Sequence, residues 1–137
     1  MKISELLKTD LWCYLQSAGG AWAKLRCLGV CRTPEQQARG LQGRKGLLAS
    51  ECLLFAWPQE NEQTFHMRGV TFPLDMIAIG SNQQVTRVVA EVPPETPAVP
   101  LGLCQWVIEC PAGWSQAHGV GVGDLVAFKK QNRSITS

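Results

Sequence analysis

The sequence lacks any run of about 18 consecutive apolar residues, the length a helix needs to cross a bilayer, so no membrane-spanning helix is expected. Charge of one sign is equally scarce. Net charge is +2 over 137 residues, which gives no electrostatic ground for nucleic acid or an acidic membrane surface as partner. The basic end made by Lys129, Lys130 and Arg133 runs into Ser-Ile-Thr-Ser and reads as a solvated tail. Histidine occurs twice, at His66 and His118, in no ligand spacing with the cysteines, and no Cys-x-x-Cys pair exists. Neither a metal site nor a cofactor is therefore expected. There is no Gly-x-Ser-x-Gly elbow and no nucleophile–base pair, so no catalytic residue is assigned and a hydrolase-type enzyme is the least supported class. The glycine loop from Gly119 to Asp124 has the wrong spacing for a phosphate cradle and leads into a strand rather than a helix. Acids interleave with apolar residues over Met1–Asp10, where a signal peptide requires an unbroken hydrophobic segment, and a cytoplasmic location is the expectation that follows.

What is present is an ordinary globular composition: 45% hydrophobic and 18% charged residues, enough for one core in one domain. Six cysteines raise the question of a disulfide scaffold. If Ala23 to Arg32 is a strand, Cys27 and Cys31 share a face but stand about 13 Å apart at ~3.3 Å per residue. A disulfide requires Cα atoms within about 7 Å. Cys104 and Cys110 at opposite ends of one strand are no better placed, and the six are read as reduced, buried thiols.

Along the chain, Ser4 can cap a helix in which Ile3, Leu6, Leu7, Leu11, Tyr14 and Leu15 recur near helical spacing up to Gly19-Gly20. Residues 1–20 are therefore read as an N-terminal helical extension, packed on the domain or on a second copy. Residues 21–137 are read as a single β domain. Trp22 to Arg32 reads as a strand, and Thr33-Pro34-Glu35 as a helix start, with a capping hydroxyl, proline in the first turn and an early acid. The short helix ends at Arg39, and Gly40 can close it with a left-handed residue. Cys52 to Trp57 is an apolar strand closed by Pro58; a turn follows over Gln59–Gln63, then a short strand over Thr64–Met67. Asp75–Ile79 and Gln84–Val92 form a hairpin around Gly80-Ser81-Asn82. Pro93, Pro94, Pro97 and Pro100 imply an extended loop from Val92 to Gly102. Leu103–Cys110 is the next strand, Trp114–His118 a brief helical turn and Asp124–Lys130 the last strand. With many short strands, no βαβ alternation and no internal repeat, the expected fold is mainly β. It would be an antiparallel β-sandwich or barrel with one N-terminal helix and one or two short helices.

Several pieces combine into a family pattern. Arg39-Gly40-Leu41-Gln42-Gly43-Arg44 stands where the pattern has Gly-Leu-Met followed by Arg. Leu53-Leu54-Phe55 with Pro58 stands for Met-Leu-Phe and a later proline. Phe65-His66-Met67-Arg68-Gly69-Val70-Thr71-Phe72-Pro73-Leu74-Asp75 stands for Phe-Trp-Met-Lys-Asn-Thr, two residues, then Pro-Leu-Asp. Ile108-Glu109-Cys110-Pro111-Ala112-Gly113 and Gly123-Asp124 complete it. From about Lys24 to Lys130 the chain resembles the domain of unknown function 192 family. The resemblance implies an all-β fold with small helices and no particular activity; many relatives look exported. The chain departs from the pattern at Gln42, His66, Gly69 and Val70.

The polar candidates are Arg44, Asp75, Glu109 and Asp124, each at a strand end or in a glycine-rich loop, with Met67 and Arg68 in the loop before Asp75. In one reading Arg44 is a fork for a ligand carboxylate or phosphate, and Asp75 and Glu109 bond ligand hydroxyls or amines. In the other, Arg44 pairs with Asp75 or Glu109 to tie strands together. Met67 with Phe65 and Phe72 lines a pocket mouth or is plain core. Trp57, Trp106 and Trp114 stack a ligand or pack inside. The expected function is a non-enzymatic binding module with one pocket for a small polar ligand, formed by the Gly40–Arg44 loop, the Met67–Asp75 loop and Glu109. The alternative is an accessory factor docking a protein partner, or a second copy as a homodimer, through the N-terminal helix or the proline-rich loop.

Overall fold

The computed structural model describes residues 10–130. Its elements in order are β1 (Leu11–Gln16), β2 (Trp22–Cys31), α1 (Pro34–Arg39), β3 (Glu51–Phe65), β4 (Leu74–Ile79), β5 (Val85–Val92), β6 (Val99–Pro111), α2 (Trp114–Ala117) and β7 (Leu125–Lys130). The seven strands form one sheet in the order β5-β4-β6-β3-β2-β1-β7. The chain is mainly β, as expected, with short helices, but the sheet is mixed. β2 and β3 run parallel, because α1 and the loop after it make a crossover that returns the chain to the same end of the sheet. All other pairs are antiparallel. The sheet is not closed: its two edge strands approach each other at one bridge, Gln84 with Leu125.

The helix expected up to Gly19-Gly20 is replaced over Leu11–Gln16 by β1; residues 1–9 lie outside those described. Cys13 and Leu15 are fully buried while their neighbours are half-buried, a period of two rather than 3.6. β1 is hydrogen-bonded on both sides, to β2 and to β7. On its outer face Lys24 and Lys129 lie over the Trp12 and Tyr14 rings, 4.7 and 5.7 Å from the centroids.

Pro58 does not end a strand. β3 continues through it to Phe65, and the proline falls where the register against β6 jumps between Ala56 and Asn61, a bulge that needs no donor from it. Pro100 is likewise absorbed, opposite Thr64 at a second register shift beside Gly102 (φ +73°), so β6 begins at Val99 and not at Leu103.

The apolar runs of β3, β4 and β6 bury both faces. Leu53, Phe55, Met76 and Ala78 join one cluster, into which Leu41, Met67 and Val70 pack. Cys52, Leu54, Ile77 and Ile79 join the other, with Leu15, Leu25 and Val126. This explains why the strands read as continuous rather than alternating. All six cysteines are buried thiols, with Cys13 Sγ and Cys52 Sγ 3.9 Å apart.

α1 starts as its sequence dictates. Thr33 accepts from the Gln36 amide and the Gln36 side chain accepts from the Thr33 amide, closing a capping box. Gln37 then donates to the carbonyls of Cys31 and Ala56, fastening the helix across the parallel β2–β3 pair.

Candidate functional site

The C-terminus of α1 lies over β3 and β6 and encloses a cavity of about 200 Å³ with them and the loop at residues 66–70. Gly40 makes the close approach. It has φ +47°, and a Cβ there would meet the Phe55 ring at 3.5 Å and the Glu109 carboxylate at 4.0 Å. Phe55, Trp57 and Phe65 form an aromatic wall, the Phe55 and Phe65 rings edge-to-face with centroids 4.8 Å apart.

Glu109 is at the floor. It lies on β6 opposite Leu53 of β3 and Met76 of β4, and only 4% of it is exposed. Among the described residues it has no ion pair and no side-chain hydrogen bond. Burial alone pushes its carboxyl up to about 8, so near neutrality it is a neutral acid with a proton to donate. Beside it, burial followed by the Glu109 charge pushes the Cys31 thiol up to about 12, which keeps that sulfur protonated and a poor nucleophile.

The mouth is basic. Arg39, in the last turn of α1, and Arg68 both line it and are exposed, and neither guanidinium has a partner among the described residues. His66 lines it as well, its Nδ1 accepting from the Arg68 amide at 3.1 Å, which leaves Nε2 to carry the ring proton. Gln42 straps the mouth, donating to the Arg68 carbonyl at 2.8 Å and the Ala38 carbonyl at 3.3 Å. Gly69 makes room for this strap: its φ is +77°, and a Cβ would meet Gln42 Cγ at 3.0 Å. The loop is pinned from outside by Glu95, which accepts from the Gly69 amide at 2.6 Å.

Of the six residues singled out in the sequence, Arg68 and Glu109 line this cavity. Arg44 pairs with neither Asp75 nor Glu109. It stands 3.8 Å from Glu51, a carboxylate that also holds Arg26 at 3.1 Å and the Leu48 amide at 2.8 Å. Asp75 is fully buried and accepts from the amides of Glu91, Gly113 and Ser115 and from the Ser115 hydroxyl, between 2.6 and 3.1 Å. It is a staple holding α2 and β5 to β4, with its lone pairs occupied by protein. Asp124 accepts from the Gly121 amide at 2.7 Å and shapes the turn into β7. Met67 is core.

Sequence reasoning missed Arg39, whose place in the last helical turn reads as a dipole complement and whose neighbour Gly40 was the available signal. Trp57 was visible as a ligand-stacking candidate and Phe65 as a pocket-mouth residue, and both border the cavity. Among the described residues no three His, Cys, Asp or Glu side chains are arranged to hold a metal ion, and no helix is long and apolar enough to cross a membrane.

The family model of DUF192, described as an uncharacterized ACR, matches residues 16–128. A crystal structure of a candidate transcription regulator from Sinorhizobium meliloti superposes with a TM-score of 0.82 at 22% identity, covering 86% of this chain and 92% of that one. A protein of unknown function from Novosphingobium aromaticivorans superposes with a TM-score of 0.78 at 28% identity, covering 85% and 83%. No curated protein matches the sequence.

Proposed function

This chain belongs to the domain of unknown function 192 family, and on that footing we propose that it is a binding module for a small ligand, held in the cavity between α1, β3, β6 and the loop at residues 66–70. One observation carries the reading: the buried Glu109 carboxyl faces this cavity without a protein partner. Asp75, on the adjacent strand β4 and paired with Cys110, has four donors. Glu109 has no protein donor among the described residues and opens onto the cavity, which leaves its carboxyl free for a ligand. Aromatic walls and a few convergent polar groups are the usual make-up of such a site.

The test is a thermal-shift panel of small carboxylates, amides and amines, followed by amide and indole NMR on the compounds that stabilise. Binders are expected to move the Trp57 indole and the Gly40 amide, and to lose their effect in Trp57→Ala. Stabilising compounds whose shifts cluster elsewhere on the sheet, with Trp57 and Gly40 still, would refute the assignment.

A further inference from the structure

The polarity of the cavity is asymmetric, and the asymmetry specifies the ligand. At the mouth stand two guanidiniums, Arg39 and Arg68, both unpartnered among the described residues. Unpaired cations at an opening repel a cationic ligand and draw an anionic one. A guanidinium bonds a carboxylate or phosphate through two parallel N–H donors. At the floor is a carboxyl that burial keeps protonated near neutrality, with no cation near enough to ionise it. A neutral carboxylic acid offers one O–H, and the group that satisfies it is an oxygen acceptor. Between mouth and floor the walls are Phe55, Trp57 and Phe65. The enclosed volume, about 200 Å³, is below the ~300–1,000 Å³ of pockets for drug-sized ligands, so the part of the ligand held inside is a single ring or its aliphatic equivalent, while Arg39, Gln42, His66 and Arg68 also border an open depression outside it.

From these placements, and resting on the binding function proposed above, we infer that the ligand is a small organic anion. Its carboxylate or phosphate lies between Arg39 and Arg68, its flat apolar body lies on Phe55, Trp57 and Phe65, and a carbonyl or hydroxyl oxygen at the far end accepts from Glu109. Binding is linked to the Glu109 proton. When that proton is lost, the floor presents a carboxylate to an oxygen acceptor and affinity falls. The other titratable or charged groups around the cavity and its mouth are Cys31 on β2, Glu35 and Arg39 on α1, and His66 and Arg68 after β3. Burial keeps Cys31 a thiol, and a His66 variant separates the imidazole at the mouth from the Glu109 carboxyl.

Three probes with one body and different charge make the test: para-acetylbenzoate, acetophenone and para-(aminomethyl)acetophenone, titrated into the full chain by calorimetry. The expected order is anion, then neutral, then cation, with the anion about tenfold tighter than acetophenone. Arg39→Ala and Arg68→Ala, both at exposed positions, should each weaken the anion by about five- to tenfold and leave acetophenone unchanged. Glu109→Gln keeps a donor and should bind with little pH dependence. The parent chain should lose up to about tenfold per pH unit above pH 8, and His66→Asn should keep that fall. Preference for the cation, an affinity that rises above pH 8, or arginine variants that bind the anion as tightly as the parent would overturn the inference while leaving the pocket standing. Failure of all three probes to bind would overturn the binding reading itself and this inference with it.

Discussion

Glu109 makes stability depend on pH in a direction opposite to that of most carboxylates. In the unfolded chain it titrates at the ordinary 4.5; in the folded protein burial raises it to about 8. A group whose folded value is raised stabilises the fold fully below the unfolded value, and that stabilisation is lost as pH rises toward the folded one. Between those limits the folded state holds a proton that the unfolded state has released. Stability therefore falls with pH by up to about 1.4 kcal/mol per unit. From pH 5 to pH 7 the loss is roughly 2–3 kcal/mol, and Glu109 is too deeply buried for solvent to screen much of it away. At about 3–4 °C per kcal/mol for a chain of this size, that is on the order of 10 °C in Tm. The assay is urea unfolding at pH 5, 6, 7 and 8 for the parent and for Glu109→Gln, which fills the same volume without titrating. The difference between the two should change by about 1 kcal/mol or more per unit, favouring Gln increasingly as pH rises, and level off above pH 8. A difference constant across the range would show that Glu109 is ionised at neutrality, held by a partner or by water, and the reasoning about the cavity floor would fail.

Gly69→Ala should destabilise by about 1–2 kcal/mol, from φ +77° together with the approach to Gln42 at 3.0 Å. Repeating it in Gln42→Ala should recover only the steric part in urea melts, and full recovery would mean the backbone is unstrained there. Arg44→Ala should cost less than about 1 kcal/mol, because Glu51 keeps Arg26 and the Leu48 amide; a larger loss in a chemical denaturation curve would mean that Arg44 carries the tie. Asp75→Ala should cost about 3 kcal/mol or more, since it strands four donors in the interior. Asp75→Asn should fare little better, because it turns an amide NH₂ toward groups that already donate; an unchanged unfolding midpoint for either variant would count against the staple.

Local chemistry was legible in the sequence, and long-range partnership was not. Thr33, Pro34 and Gln36 announce the start of α1 with bonds that span three residues, and Gly80-Ser81-Asn82 marks the β4–β5 hairpin in the same way. β1 reads as a helix because Leu11, Tyr14 and Leu15 satisfy helical spacing, yet Leu11, Cys13 and Leu15 satisfy strand spacing; only pairing with both β2 and β7 decides between them. The parallel β2–β3 pair follows from how α1 packs, which no local pattern encodes. At the site, Glu109 could be picked out as a polar residue inside an apolar run, but its lack of partners is a fact about β2, β3 and β4 together. For the same reason the sequence points Arg44 to Asp75 or Glu109, whereas its partner is Glu51. Glu51 opens a strand as an unremarkable acid; the parallel β2–β3 register sets it beside Arg26, and the loop from Gly40 to Ser50 brings Arg44 to it.

The positions at which the chain departs from the family pattern are not scattered over the fold. Gln42, His66 and Val70 line the cavity, and Gly69 lies against Gln42. Gln42 and Gly69 are sterically one change: the strap reaches the Arg68 carbonyl through the space that a side chain at position 69 would occupy. Glu109, by contrast, sits in a piece that follows the pattern. A floor that follows the pattern and a mouth that departs from it at Gln42 and His66 divide the proposed ligand in two. The buried acceptor end would be common to relatives that keep the glutamate. The outer, anionic end meets Gln42 and His66, which depart from the pattern, so differences in ligand choice between this chain and its relatives should be sought there rather than in the core beneath them.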